Sequence, residues 1–106
     1  MDKVDGMVTP SHAHVRDHEE WAAVFKTLGD PTRLSLLNAI HGAGNNQLGV
    51  TELANRTGTR VATTSAALRA MEKMGTVRSV REGRSIYYGI ADERIHRLLH
   101  WAADQQ

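Results

Sequence analysis

The stretch Thr59–Ile90 decides the fold; it reads TRVATTSAALRAMEK (59–73) and then MGTVRSVREGRSIYYGI (74–90). Apolar and hydroxyl residues of its first part recur at steps of three and four, which predicts one face of an amphipathic helix. Residues of its second part alternate with a period of two, which is typical of strands. The segment 82–85 contains Gly83 and suits a hairpin turn. The helical face comprises Thr64, Leu68, Met71 and Met74 (or Gly75), and the alternating positions are Val77, Ser79, Arg81, Ile86, Tyr88 and Ile90.

Positive charge is concentrated around this helix and hairpin. Residues 56–84 hold seven Lys or Arg side chains against two Glu, whereas the whole chain has a formal net charge of +1. A helix that begins with small and hydroxyl-bearing residues can enter a major groove, and a basic hairpin beside it can follow phosphates. The alternative is a solvated basic face on an ordinary α+β domain.

Length and composition set broad limits. A chain of 106 residues with 41% hydrophobic content predicts one globular domain with a modest core. The sequence has no apolar run of about 18 residues and no signal-peptide core at its start, so we expect a cytoplasmic protein without a membrane partner. It has no cysteine, which excludes disulfides, thiolate metal sites and thiol redox sensing.

Helix start and stop residues divide the rest of the chain. We expect a mobile tail over 1–14 and one DNA-binding and dimerisation domain over 15–106. Asp30 followed by Pro31 predicts an N-cap for a second helix, and Asp92 predicts the cap of the last helix. A third helix is expected to start at Thr51 as its N-cap, without a capping box. The predicted fold is mainly α with a β-hairpin wing, a winged helix-turn-helix of order α-α-α-α-β-β-α.

The first and last helices both carry large apolar residues, including Trp21 and Trp101. A domain of this size has limited room to cover both helices. We therefore expect a symmetric homodimer that pairs through them. The alternative is a monomer whose terminal helices close the core.

Four motifs in order resemble the ArsR/SmtB family of bacterial winged-helix repressors. They are FKTLGDPTRL (25–34), VTELA (50–54), SAAL (65–68) with MGTV (74–77), and the wing REGRSIYY (81–88). The similarity covers about 21–99. It implies a dimer that binds a double-stranded DNA operator and is released by an inducer ion or another signal.

The resemblance also implies which residues face DNA. Ala66 stands where many members have His, and Val61 and Ala62 stand where many have Gln and Ser, so base readout would rest on the remaining polar groups and on contacts to thymine methyls. The positions carried over are Arg60, Thr63, Ser65, Ala66 and Arg69 on the helix, with Arg81, Arg84 and Ser85 on the wing.

The metal sites that the resemblance implies are incomplete in this sequence. The third helix offers no thiolate. On the last helix Asp92 matches the family pattern Asp-x-His, but Arg94 occupies the first His position and stays protonated.

Histidines suggest a replacement site. Asp92, His96 and His100 are spaced i, i+4, i+8, so they share one ridge of the last helix. Together with His12, His14 and His18 near the first helix they would suit Zn²⁺, Ni²⁺ or Co²⁺. The alternative is that these histidines are merely solvated, with an organic inducer or no inducer at all.

Other function classes are weaker. The sequence has no nucleophile elbow and no phosphate-binding loop, so we do not expect an enzyme. The competing class is a winged-helix module that binds protein and has no inducer. Such a module would be expected to lack the wing arginines and the basic start of the fourth helix, and both are present here. The sequence therefore favours a sequence-specific DNA-binding transcriptional repressor.

Overall fold

In a computed structural model of the chain, residues 11–105 are described, with side-chain surroundings from Asp17 onward. The elements follow the predicted order α-α-α-α-β-β-α of a winged helix-turn-helix. Among these described helices none is both long and apolar enough to cross a membrane. The elements are α1 (Ser11–Leu28), α2 (Pro31–Ala43), α3 (Val50–Thr57), α4 (Val61–Lys73), β1 (Val77–Glu82), β2 (Ser85–Ile90) and α5 (Glu93–Ala103).

The first helix begins earlier than its apolar pattern predicts. It starts at Ser11 rather than at Val15. Residues 11–14 contain neither glycine nor proline, so adding them to an existing helix needs little free energy. The remainder of the predicted tail, residues 1–10, lies outside the described residues.

Two predicted helix caps are confirmed and one is corrected. Asp30 Oδ2 accepts a hydrogen bond from the backbone N of Arg33 at 2.9 Å, and Asp92 caps α5 in the same way. The cap of α3 is Gly49 and not Thr51. Because Gly49 has no side chain, Glu52 supplies the interaction: its Oε1 accepts from the backbone N of Gly49 at 2.7 Å. The predicted absence of a capping box was therefore wrong for the Glu half of that motif.

The core is built around α2, which contacts α1, α3, α4, α5 and β2. Its residues Leu36, Leu37 and Ile40 have no exposed surface. Burying a side chain of this size stabilises the fold by roughly 1.5–3 kcal/mol. The other elements add Val24, Leu48, Leu53, Leu68, Met71, Val77, Tyr88, Ile90, Ile95 and Leu99 to the same core.

The wing is a regular antiparallel hairpin whose tip extends beyond the core. Val77 pairs with Ile90 at its base, and Glu82 pairs with Ser85 at its tip. The two-residue loop between them begins with Gly83 at φ 65°, a left-handed conformation that glycine adopts at no steric cost. Ile86, expected on the apolar face, is 40% exposed because it lies beyond the core. Met74 is also exposed, since α4 ends at Lys73.

The loop between α2 and α3 is fastened to the second wing strand. Leu48 forms a bridge with Tyr88, and Asn45 Oδ1 accepts a hydrogen bond from the backbone N of Ile90 at 3.0 Å. Gly89 permits this close approach, because a Cβ there would lie 3.1 Å from Asn46 Oδ1 and 3.2 Å from Asn45 Cβ. The wing is thus connected to the end of the central helix.

Candidate nucleic-acid interface

The angle between α3 and α4 is fixed by a short hydrogen-bonded turn. Gly58 ends α3 at φ 68°, and the backbone N of Thr59 donates to Ala54 O at 3.0 Å. Thr57 Oγ1 donates to Leu53 O at 2.8 Å and lies 3.1 Å from Thr59 Oγ1. This turn holds α4 as the second helix of a helix-turn-helix.

Helix α4 has one buried and one exposed face. Thr64, Leu68 and Met71 are fully buried, as the sequence predicted. Of the predicted DNA-facing positions on this helix, four are exposed and one, Ser65, is half-buried. Val61 is 51% exposed at the start of the helix and adds an apolar contact surface. The four exposed positions are Arg60, Thr63, Ala66 and Arg69.

The tip of the wing carries the second exposed basic group. Arg81, Arg84 and Ser85 are all exposed around the hairpin loop. Arg78 belongs to the same run of charge but has a different position, because its Nη1 donates to Ile90 O at 3.0 Å at the base of the wing. The cations offered at the tip are therefore Arg81 and Arg84.

A side-chain hydrogen bond joins the recognition helix to the wing. Ser79 Oγ on β1 donates to Glu72 Oε2 on α4 at 2.7 Å. Sequence reasoning counted Glu72 only as an opposing charge, since the pairing depends on how β1 turns back beside α4. Burial raises the pKa of Tyr88, Glu72 raises it further and Arg69 lowers it, so the tyrosine stays uncharged at the base of the wing.

Asp92, a predicted metal ligand, is engaged by Arg94. Its Oδ1 accepts from Arg94 Nε at 3.2 Å and its Oδ2 from Arg94 Nη2 at 3.1 Å, besides the backbone caps. Partial burial would raise the pKa of Asp92, but the hydrogen bonds and charge of Arg94 lower it below its ordinary value. Arg94 also lies 3.6 Å from Glu20 Oε1 and stacks over Trp21 at 5.7 Å. The guanidinium thus already supplies the positive charge at this end of α5.

The other predicted metal-binding histidines have different surroundings. His96 and His100 stack with ring centroids 6.5 Å apart, and His18 is exposed on α1. The side chains of His12 and His14 lie outside the described residues. Among the described residues no three His, Asp or Glu side chains form a ready-made metal site.

Sequence reasoning missed His41, in the last turn of α2. Its ring centroid lies 5.3 Å from that of His96 and 5.7 Å from that of His100. Burial lowers the pKa of His41, and the two neighbouring histidines lower it further. Only the packing of α2 against α5 reveals this neighbour, and no local motif around His41 points to it.

Comparison with known proteins agrees with this geometry. Residues 34–81 match the IclR helix-turn-helix domain. The chain is 30% identical to the transcriptional repressor SmtB homolog of Synechocystis, over 92% of this chain and 71% of that protein. The solved homodimeric winged helix-turn-helix DNA-binding domain Mb0332 of Mycobacterium bovis is 32% identical, with a TM-score of 0.68 over 91% of this chain and 84% of that one.

The chain belongs to the ArsR/SmtB family. Another ArsR/SmtB relative, the cadmium resistance transcriptional regulatory protein CadC of Listeria innocua, is 36% identical over 71% of this chain. The match spans only 61% of the length of CadC. The resemblance read from the four sequence motifs is thereby confirmed, and these ArsR/SmtB relatives are transcriptional regulators.

Proposed function

We propose that this ArsR/SmtB chain is a homodimeric repressor that binds a double-stranded DNA operator through α4 and the wing and is released by a metal ion. One observation carries the DNA role. An exposed helix face with Arg60 and Arg69 and an exposed wing tip with Arg81 and Arg84 are held together through the Ser79–Glu72 hydrogen bond. A protein that recognises duplex DNA combines a helix that fits the major groove with cations that bind phosphates.

The two parts have separate tasks in this proposal. The exposed face of α4 contacts bases in the major groove. The hydroxyl of Thr63 reaches base edges, and the small apolar side chains of Val61 and Ala66 contact thymine methyls. The four arginines contact phosphates, and Ser85 adds a hydroxyl donor at the wing tip. The half-buried Ser65 is left at the edge of the groove contact.

The dimer is proposed from exposed aromatic surface on the terminal helices. Trp21 and Phe25 on α1 are 38% and 56% exposed with their rings 5.7 Å apart, and Trp101 on α5 is 63% exposed. Large apolar side chains at such exposure mark an interaction surface. In a dimer that binds two half-sites, the two copies of α4 would lie about 34 Å apart, one turn of DNA.

Oligomeric state tests the dimer surface. Phe25→Glu is expected to give monomers in sedimentation or light-scattering measurements, since it buries a charge in the interface. Ile86→Glu is a matched control, because Ile86 is also exposed but lies on the wing. A Phe25→Glu protein that remains dimeric would contradict the interface.

Salt-dependent DNA binding tests the repressor role and separates it from a protein-binding module. With a DNA fragment from upstream of its own gene, affinity should fall steeply with salt, with a log–log slope of about −0.9 for each phosphate contact. Arg84→Glu should weaken binding, whereas the same charge change at Arg97, exposed on α5, should not. Equal affinities of wild type and Arg84→Glu would reject the wing contact.

The released state is proposed to follow metal binding. Cadmium resistance is part of the name of one relative, and imidazole suits Zn²⁺, Ni²⁺ and Co²⁺. Of the ligands expected from the sequence, Asp92 has Arg94 as its partner, so histidines are the better donors. The N-terminal His12, His14 and His18 remain proposed additional ligands.

A further inference from the structure

Three imidazoles from two helices meet at one place on the surface. His41 at the end of α2 lies beside His96 and His100, which are one turn apart on α5. His41 and His96 are half-buried and His100 is exposed, so the cluster is open to ions from solvent. Among the hydrogen bonds of the described residues, none joins two of these rings.

The spacing of two of the three ring pairs is close to that around a single transition-metal ion. An imidazole nitrogen at about 2.0–2.1 Å from an ion places its ring centroid about 3.2 Å away, and tetrahedral angles then separate two centroids by about 5.2 Å. The centroids here are 5.3, 5.7 and 6.5 Å apart. Two pairs are therefore near the required separation. The third pair, His96 and His100, has nearly parallel rings, 11° apart, and would have to close by about 1.3 Å and turn through side-chain rotation.

We propose that His41, His96 and His100 form a metal site that binds Zn²⁺, Ni²⁺ or Co²⁺ and joins α2 to α5. Three imidazole ligands leave a fourth position for water. The i, i+4 pair on α5 provides two ligands from one helix face, as in other helical sites. Asp92 is not part of the site, because both of its oxygens are bonded to Arg94.

The position of this site gives it a route to the DNA-binding surface, a role that rests on the proposed function. His41 is followed by the end of α2 at Ala43 and then by Asn45, which bonds Ile90 at the base of the wing. Helices α2 and α5 flank the base of the wing, so an ion that draws them together acts on both sides of it. The binding of the ion itself does not depend on this role.

Metal titration of the full chain without DNA tests the site. Zn²⁺ titrated by calorimetry should bind once per chain, and Co²⁺ should give the visible absorption of a tetrahedral nitrogen-ligated ion. His41→Gln should weaken Zn²⁺ affinity at least tenfold. The control is Asp92→Asn, which should leave the affinity unchanged, because both carboxylate oxygens of Asp92 are bonded to Arg94.

Ring NMR signals of the wild type provide a second measurement that does not require a folded variant. Signals of His41, His96 and His100 should shift together up to one equivalent of Zn²⁺. No binding at micromolar Zn²⁺, or shifts at His18 with none at His41, would overturn the proposal. Repeating the titration with DNA tests the function separately: bound metal with unchanged DNA affinity would reject release by metal and keep the site.

Discussion

Ser79 on the first wing strand donates its hydroxyl proton to the carboxylate of Glu72 on the recognition helix, over 2.7 Å. The wing and α4 are adjacent in sequence, and this bond adds a side-chain link to the backbone hydrogen bond from Thr76 N to Met71 O, 2.9 Å, at their junction. Glu72 therefore has two opposed effects on DNA binding: its charge repels phosphate, and its hydrogen bond positions the wing.

Substitutions of Glu72 separate these two effects. Glu72→Gln removes the charge but still accepts from Ser79, so DNA affinity should rise by about 0.5–1 kcal/mol, a factor of roughly two to five. Glu72→Ala removes both and should bind more weakly than Glu72→Gln. Fluorescence anisotropy at fixed salt measures the difference.

Ser79→Ala completes the comparison, because it breaks the bond and keeps the charge. We expect it to have the lowest DNA affinity of the set. If Glu72→Gln and Glu72→Ala bind equally, the hydrogen bond does not position the wing.

Thr64 is a buried hydroxyl in the recognition helix. The residue has no exposed surface, and its Oγ1 has no hydrogen-bond partner among the described residues. Leaving such a group unpaired costs about 1–3 kcal/mol. Thr64→Val keeps the shape and β-branching and should raise the free energy of unfolding by about 1 kcal/mol.

Urea unfolding at constant protein concentration measures this change as a higher midpoint with the same slope. Thr64→Ser keeps the hydroxyl and loses a methyl group, so it should be destabilised by about 1 kcal/mol. A Thr64→Val protein less stable than wild type would show that the hydroxyl has a partner.

Periodicity and capping residues made most of the fold predictable. Apolar residues recur every three to four positions in α4 and every two positions in the wing, and this change located both elements. Asp30 and Asp92 marked two helix starts. The start of α3 could not be found this way, because Gly49 has no capping side chain and Glu52 reaches back to it. Such a contact depends on backbone geometry and not on residue type.

The candidate site was predictable only where it is local. The exposed residues of α4 and the wing tip follow from helix and hairpin geometry. His41 is distant in sequence from His96, and packing of α2 on α5 alone brings them together. Likewise, the sequence shows that Arg94 cannot bind a metal, but its pairing with Asp92 and Glu20 is visible only in the structure.

Asn45 is expected to hold the base of the wing. Its Oδ1 is the acceptor for the backbone N–H of the buried Ile90. Asn45→Ala leaves that donor unpaired and should destabilise the fold by about 1–2 kcal/mol. Asn45→Asp retains an acceptor and should be closer to wild type. An equal loss of stability in Asn45→Ala and Asn45→Asp would show that the loop, and not this hydrogen bond, is responsible.

The ion pair of Asp92 with Arg94 predicts a dependence of stability on pH. The pKa of Asp92 in the fold is lowered by the Arg94 bonds, although partial burial opposes this. The stabilisation is therefore complete above the ordinary aspartate pKa of about 3.9 and is lost as pH falls through the lower value in the folded protein.

Asp92→Asn still caps α5 but cannot form the ion pair. Its stability deficit against wild type should be constant from pH 7 to about pH 5 and shrink toward about pH 2.5. Unfolding midpoints measured across this range check the prediction, and a deficit that stays constant at low pH would show that Asp92 stabilises α5 only as a cap.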